Sequence, residues 1–395
     1  MFHLIRNFTK LFSTFEAPIR ELPGSELIAS LDEYSRASSL IQAKNYVMAE
    51  LELSRCMDIL NKANLKTEPG YSFLLHKLAL VQRLQQKFSQ CENSLETIVK
   101  NYEQNPKNYQ IPLQQAYKTL FIQYLAQNID KALKLAESLS LSNNYNSMTK
   151  EFQQEVKFIY GTALILHGQD FSKAKSLLNE CLNMDLDINT PIILHNLACA
   201  QWLHSKKYYG IDTRNLSTEE RQDYNDYIEN YNKAILNFQK AIQIYEGLSD
   251  IFTLNSGFVL KNKLSGLSLT NIGEIFIENN DFEKAVDWVK TAMKLYEDTD
   301  KENIGRALVL IGSVLKEKKH LMHAEGLIRN AMEIMKGRND GNEVFALRMY
   351  GALLKSNTKR FRECEDVQKK AQGIADILPY WYERAVYLYV PKWVE

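Results

Sequence analysis

The stretch NIGEIFIENNDFEKAVDWVKTAMKLY (residues 271–296) combines the apolar periodicity of a helix with small residues at fixed intervals. A glycine inside a helix costs about 1 kcal/mol relative to alanine, so Gly273 needs a structural reason. Counted from Gly273, the positions 3, 9, 12, 16 and 19 residues further on hold Phe276, Phe282, Ala285, Val289 and Ala292. This pattern indicates two short helices that approach each other closely at their small residues.

The same intervals recur along the chain. Counted from Ala37, Ala79 and Gly312, they select residues of matching size at nearly every position, with Gln82 and Ile98 as the exceptions. Four further copies fit when the turn between the two helices varies in length, and they start at Phe121, Gly161, Ala198 and Gly351. The sequence therefore predicts eight helical hairpins that stack in order to bury their apolar faces.

This pattern resembles the tetratricopeptide repeat (TPR) family over residues 27–376. The resemblance implies an all-α fold, a right-handed superhelical solenoid of about eight hairpins whose concave face binds proteins. Successive copies start about 40 residues apart, whereas the family's usual period is 34. In this the chain is similar to kinesin light chain and to the mitochondrial TPR protein associated with respiratory complex III.

The hairpins define the predicted boundaries. We expect a transit-like segment at 1–24, the solenoid at 25–376 with an insertion at 205–230, and an aromatic cap or docking tail at 377–395.

Charge and composition exclude several classes of function. The chain has 48 Lys and Arg against 48 Asp and Glu, so it lacks the basic excess that nucleic-acid binding usually requires. No run of 18 apolar residues occurs, so we predict no transmembrane helix. Phosphate-binding glycine motifs and nucleophile motifs are missing from the sequence as well. These observations predict a non-catalytic protein without a cofactor.

The cysteines and histidines do not form a recognisable metal or redox motif. The five cysteines are spaced singly, four of them at small-residue positions, and are interpreted as buried apolar residues. His320 and His323 stand three apart at a predicted turn, a spacing that suits a shared metal. A third ligand does not accompany them, so we interpret both as surface residues and predict no metal site.

One known mode of TPR recognition is not supported. Some TPR domains grip a C-terminal carboxylate with an asparagine that directly follows the small start residue. In the eight copies that position holds Ser38, Leu80, Ile122, Thr162, Cys199, Glu274, Ser313 and Ala352. The absence of asparagine at this position argues against a co-chaperone of that type.

The N-terminus, MFHLIRNFTKLFSTF (residues 1–15), is amphipathic and basic, and its first acidic residue is Glu16. Leu4, Phe8 and Leu11 fall on one side of a helical wheel, with Arg6 and Lys10 opposite. These features are typical of a mitochondrial transit peptide. Two alternatives stay open, namely a helix that caps the first hairpin and a helix that contacts a membrane surface through residues 2–15.

Two departures from the repeat supply candidate protein contacts. In the insertion, Ser217 and Glu220 match a capping box. We therefore predict that the second helix of the fifth hairpin starts about four turns early, and that it either projects or folds back. The C-terminus crowds aromatic residues into a short segment that either caps the last hairpin or docks on a partner. The candidate contact residues are Tyr224, Tyr227, Tyr380, Trp381, Tyr389 and Trp393.

Together these features predict a non-catalytic scaffold, either a subunit or an assembly factor of a large mitochondrial complex. The respiratory chain is the preferred setting, in the matrix or at the inner membrane, with other subunits of the assembly as partners. Two alternatives remain, a cytosolic adaptor for cargo or chaperones and a factor associated with the mitochondrial ribosome or RNA.

Overall fold

A computed structural model describes residues 28, 30–66, 69–104, 108–142, 145–168, 170–184, 190–206, 218–247, 255–296, 300–355, 358–378 and 387–390. The predicted N-terminal segment at 1–24 lies outside this part of the chain. Within it, regular structure is helical throughout and comprises sixteen α-helices and two short 3-10 turns. The described residues divide into two compact units, with the boundary between Val156 and Lys157.

The first unit contains three helical hairpins and the start of a seventh helix. Its helices are α1 (Asp32–Gln42), α2 (Tyr46–Lys62), α3 (Pro69–Leu84), α4 (Phe88–Glu103), α5 (Gln110–Gln127) and α6 (Ile129–Leu141). The unit boundary falls within α7 (Lys150–His167). Each of α1 to α5 packs on the next helix in the chain, which is the arrangement expected for stacked hairpins.

The second unit continues the same order of hairpins. Its helices are α8 (Phe171–Leu182), α9 (Thr190–Ser205), α10 (Thr218–Gly247), α11 (Asn255–Glu278), α12 (Phe282–Tyr296), α13 (Lys301–Glu317), α14 (Leu321–Met335), α15 (Gly341–Leu354) and α16 (Phe361–Ile377). Consecutive helices pack from α8 to α16, and the first helices α11, α13 and α15 also contact one another in sequence. The predicted all-α fold of consecutive hairpins, consistent with a TPR-like solenoid, is confirmed.

Small residues lie where the two helices of a hairpin touch. A Cβ atom added to Gly273 would lie 2.4 Å from Cγ2 of Val289 and 3.2 Å from the carbonyl oxygen of Ala285. At Gly312 the corresponding atoms belong to Ile328, at 2.7 Å, and Ala324, at 3.3 Å. These are the residues 16 and 12 positions after each glycine, so the spacing in the sequence reports direct contact. We call these contacts the hairpin notches.

The turn between the two helices of a hairpin explains why the second helix begins a constant nine residues after the small start residue. In the four copies with equal spacing, one residue adopts the left-handed conformation, namely Lys44, Gln86, Asn280 and Lys319, with φ between 58° and 64°. The next amide then bonds back to the helix, as Asp281 N–H does to the Phe276 carbonyl at 2.9 Å. This is the Schellman ending of a helix. Because the motif has a fixed length, the next helix begins at a fixed position.

Two features of the second unit bear on the predicted appendages. Helix α10 begins at Thr218, directly after the predicted cap Ser217, which confirms the early start of this helix. Further along it, the Tyr231 hydroxyl donates to the Ile275 carbonyl at 2.9 Å, so this part of α10 lies against α11. None of the helices in the described ranges has the length and apolar character needed to cross a membrane.

Candidate functional site

The first helices of the fifth, sixth and seventh hairpins bury polar side chains as well as apolar ones. Helix α9 buries His195 and Asn196, α11 buries Asn271 and Glu274, and α13 buries Arg306. A polar group in such surroundings is costly unless it finds a partner. Their partner is a distant part of the same chain, residues 387–390, which we call the C-terminal segment. The surface that these side chains form with Cys199, Trp202 and Lys206 is called the Tyr387 groove.

One amide side chain holds both backbone groups of Tyr389. Asn196 Nδ2 donates to the Tyr389 carbonyl at 2.9 Å, and Asn196 Oδ1 accepts from the Tyr389 N–H at 2.9 Å. Asn196 Nδ2 also donates to Thr162 Oγ1 at 3.0 Å, which fixes the orientation of the amide. Asn196 therefore satisfies both backbone hydrogen-bonding groups of this residue.

The carbonyl of Tyr387 accepts from three helix side chains. His195 Nε2 lies 2.9 Å away, Asn271 Nδ2 3.1 Å and Cys199 Sγ 3.2 Å. A carbonyl only accepts, so Nε2 of His195 carries the proton and Nδ1 accepts from Ser268 Oγ at 2.7 Å. Both ring nitrogens are thus used while the ring is neutral.

The side chain of Tyr387 fills an aromatic and charged pocket. Its ring centroid lies 4.7 Å from that of Trp202, while Lys206 Nζ and Arg306 Cζ lie 4.9 Å and 4.7 Å from the Tyr387 ring centroid. Its hydroxyl donates to Glu274 Oε1 at 2.6 Å. Only 4% of Tyr387 is exposed. The pocket therefore recognises both the face of the ring and the phenol group.

Opposite charges balance beneath the pocket. Glu274 pairs with Arg306 at 3.0 Å, and Lys206 pairs with Glu278 at 2.9 Å. Burial alone would raise the pKa of Glu274, but Lys206 and Arg306 outweigh it and hold that pKa below its usual value. Glu274 is thus an ionised acceptor, and its bond from the tyrosine hydroxyl is charge-assisted.

The chemistry of the groove suits binding rather than covalent catalysis. Cys199 Sγ lies 3.7 Å from His195 Nε2, a pairing seen in cysteine nucleophiles. Burial, however, raises the pKa of the Cys199 thiol and lowers the pKa of His195 to about 4. An activated pair needs the opposite shifts. Both groups instead hold the Tyr387 carbonyl.

The described part of the chain contains no cluster of three His, Cys, Asp or Glu side chains that could hold a metal ion. His320 and His323 lie on the surface, and all five cysteines are buried with free thiols. The interpretation of the cysteines as buried residues is confirmed.

The candidate contact residues have different outcomes. Tyr389 lies in the Tyr387 groove, where its backbone binds Asn196. Tyr224 and Tyr227 lie in α10, but their side chains are not among those described. Tyr380, Trp381 and Trp393 fall outside the described residues, and their role stays a prediction.

Sequence reasoning missed the groove itself. In the sequence, His195 and Asn196 only interrupt an apolar run, and Cys199 and Glu274 only occupy positions where a carboxylate-binding TPR domain has asparagine. The available signal was the accumulation of polar residues on the buried side of three successive first helices. That signal identifies a polar surface, but it does not identify the segment that covers it.

Comparison with known proteins supports the repeat. Residues 268–299 match the model of the tetratricopeptide repeat family, a range that contains the end of α11, all of α12, and both Asn271 and Glu274. No curated protein matches the sequence. Among solved structures, the chain is similar to the crystal structure of BtubC (BKLC) from P. vanneervenii, with 17% identity and a TM-score of 0.38 over 63% of this chain and 88% of that chain. A TPR repeat implies a scaffold for protein–protein interaction.

Proposed function

We propose that the chain is a non-catalytic scaffold that holds polypeptide segments of its partners on the first helices of its hairpins. The observation that carries this proposal is the Tyr387 groove, where Asn196, His195 and Asn271 bind the backbone of a peptide segment. Contacts to the backbone are independent of sequence, so the same side chains suit segments from other proteins.

We further propose a mitochondrial setting, with the chain as a subunit or an assembly factor of a large complex of the respiratory chain. The support is the basic, acid-free and amphipathic start of the sequence. A membrane potential that is negative inside draws such a segment inward with about 2.3 kcal/mol per unit charge per 100 mV. The long repeat period is the second, weaker support.

The experiment reverses this charge. The variant Arg6→Glu with Lys10→Glu should stay folded, remain outside mitochondria in a protease-protection assay, and be lost from the assembly. Lys290→Glu with Lys369→Glu, two exposed positions on α12 and α16, is the matched control and should be imported normally. A wild-type chain that is never protected from protease would refute the mitochondrial setting and favour a cytosolic adaptor.

The partners are then identified by purification from mitochondria in mild detergent, followed by analysis of the proteins that co-migrate. Respiratory-chain subunits are the expected result. Ribosomal proteins would instead favour a ribosome-associated factor. A chain that is imported but migrates alone at the mass of a monomer would contradict a role in a larger assembly.

The first turns of α10, which begins at Thr218, form a second proposed contact with a partner. Because α10 lies against α11 at Tyr231, we propose that Tyr224 and Tyr227, two and one turns earlier, meet a partner. Tyr224→Ala with Tyr227→Ala should weaken co-migration and leave the melting temperature within about 1 °C. A melting temperature lowered by several degrees would show that both residues pack within the chain instead.

A further inference from the structure

The C-terminal segment contacts the hairpins in the way that a bound peptide does. Helix α16 ends at Ile377, and its C-cap is Leu378. The segment begins nine residues after Leu378. It lies on α9, α11 and α13, which are the first helices of the fifth, sixth and seventh hairpins. A cap would instead cover the open side of the last hairpin, formed by α15 and α16.

The contacts of the segment define what the groove selects. Asn196 binds the backbone of Tyr389, and the shared site of His195 and Asn271 binds the carbonyl of Tyr387. These contacts involve only backbone groups of the segment, so they do not depend on its side chains. The pocket of Trp202, Lys206, Glu274 and Arg306 adds a requirement for an aromatic ring with a hydroxyl group, which donates to Glu274. Leu388 between the two tyrosines is 5% exposed, so the second position of the bound segment is apolar.

From this geometry we propose that the Tyr387 groove is a receptor for a short partner segment that begins with tyrosine and an apolar residue, and that residues 387–390 are its resident ligand. The proposal rests on the proposed function as a protein scaffold and specifies the chemistry of the partner. A partner segment binds by displacing the C-terminal segment from the groove.

Because the C-terminal segment is attached to the chain, it competes strongly with a free peptide for the groove. A segment that is joined to its site by a short connection has an effective concentration in the millimolar range. A free peptide with a dissociation constant of about 10 μM for the empty groove would therefore bind the wild-type chain roughly 100-fold more weakly. Weakening the resident segment, while the groove is kept intact, should restore most of this affinity.

The probe is a fluorescein-labelled peptide RAVYLYVPK, which copies residues 384–392, and the readout is fluorescence anisotropy with the full-length chain. Tyr387→Ala should bind the probe at least 10-fold more tightly than wild type. Adding Asn196→Ala to that variant should abolish the gain, because the backbone of the bound segment loses its amide partner. The control peptide RAVFLYVPK should bind moderately more weakly than the probe, because it lacks the hydroxyl that reaches Glu274. The control peptide RAVALYVPK should bind much more weakly, because it lacks both the aromatic ring and the hydroxyl.

A folded Tyr387→Ala variant that binds the probe no better than wild type would overturn the proposal. If that variant fails to fold, hydrogen exchange on the wild-type chain decides the question. The Tyr389 amide should be protected through Asn196, and a saturating concentration of the unlabelled peptide should accelerate its exchange. If this amide exchanges only with global unfolding and ignores the peptide, the segment is a permanent part of the fold and the proposal is wrong.

Two further results distinguish this proposal from self-association of the chain and from the proposed mitochondrial setting. A wild-type dimer in light scattering that Tyr387→Ala converts to a monomer would show that the occupant is a second copy of the chain, which refutes a partner protein. The assay uses purified protein, so failed import together with tight probe binding refutes only the mitochondrial setting. Normal import and assembly without probe binding refutes only the groove as a receptor.

Discussion

Two buried regions of the second unit solve different problems with different residues. At the hairpin notch, Gly273 faces Val289 and Ala285 at contact distances that leave no room for a larger side chain. In the Tyr387 groove, buried His195 and Asn271 hold a carbonyl, and Arg306 holds a carboxylate. The notch is stabilised by apolar packing, whereas the groove is stabilised by satisfied polar groups. The contact at the notch recurs in other hairpins of the chain. The residues that form the groove do not recur from one hairpin to the next.

This difference teaches where stability and specificity reside. Each notch contributes through packing, which tolerates neither a gap nor an extra methyl group. The groove depends on partners that must all be present, because one missing partner leaves a buried charge or amide unpaired. We therefore expect substitutions in the groove to show larger and more pH-dependent effects than substitutions in a notch.

The largest effect is expected for Arg306→Met. Arg306 is fully buried and binds Glu274 at 3.0 Å and Asn271 Oδ1 at 2.9 Å. Removing its charge leaves Glu274 poorly compensated, at a cost of about 3–5 kcal/mol. Urea unfolding followed by circular dichroism measures the change.

Arg329→Met is the matched control for this experiment. Arg329 binds Glu325 at 2.9 Å, but its side chain is 55% exposed, so we expect a loss of about 0–1 kcal/mol. Equal losses in the two variants would contradict the idea that burial makes the groove sensitive.

The second effect is a dependence of stability on pH. Burial lowers the pKa of His195 to about 4, with Arg306 acting in the same direction against the Tyr387 carbonyl. Between the unfolded pKa of about 6.5 and this value, the unfolded chain binds the proton and the folded chain does not. Acidification from pH 6.5 to 4 should therefore destabilise the fold by on the order of 3 kcal/mol through His195 alone.

The variant His195→Gln keeps a donor for the Tyr387 carbonyl and removes the titration. Its free energy of unfolding should fall less steeply between pH 6.5 and 4 than that of wild type. His323→Gln, at an exposed position of α14, is the control and should follow the wild-type curve. Parallel curves for His195→Gln and wild type would show that His195 is not held neutral by the groove.

The sequence predicted the notches because they repeat. Gly273 and Gly312 each predict their partners 12 and 16 residues later, and the structure confirms both pairs. The turn length was predictable for the same reason, since a Schellman ending has a fixed number of residues. Local contacts that recur at a constant spacing leave a period in the sequence.

The groove leaves no such period. His195 and Tyr387 are 192 residues apart, and the polar groups that surround Tyr387 occur once each. The sequence placed Tyr389 among candidate contacts because aromatic residues are common at interfaces, without any information on its partner. Conversely, Cys199 and Glu274 do not match the carboxylate-binding motif, and the sequence contains nothing that connects them with Tyr387. A polar site of this kind can be recognised only in the folded structure, where residues that are distant in the sequence lie together.

The third effect is overpacking of a notch. Ala285 and Ala324 are fully buried at the contact between the helices of their hairpins. Ala285→Leu and Ala324→Leu should each cost about 1–3 kcal/mol, because the extra methyl groups force the helices apart. Lys290→Leu, at an exposed position of the same helix as Ala285, should change stability by less than about 0.5 kcal/mol. Unfolding midpoints that are the same for Ala285→Leu and Lys290→Leu would contradict the repeat register.

The smallest effect compares two glycines that differ only in their surroundings. A Cβ atom added to Gly326 in α14 meets nothing within 4 Å, whereas one added to Gly273 in α11 would lie 2.4 Å from a methyl group of Val289. Alanine is preferred to glycine inside a helix, so Gly326→Ala should stabilise the protein by about 0.5–1 kcal/mol. The same gain in helix propensity applies at Gly273. There, however, Val289 is β-branched and cannot easily adopt another rotamer. The second neighbour is the Ala285 carbonyl, a backbone group that cannot move independently of its helix.

The clash at Gly273 should therefore outweigh the gain in helix propensity, so that Gly273→Ala is destabilised by about 1–2 kcal/mol. The double variant Gly273→Ala with Val289→Ala tests this cause, because it removes the methyl group that is struck. It should be more stable than the sum of the two single changes predicts. Strict additivity would mean that Gly273 and Val289 do not touch in the way the notch requires, and the close approach of the two helices would then need another explanation than the size of residue 273.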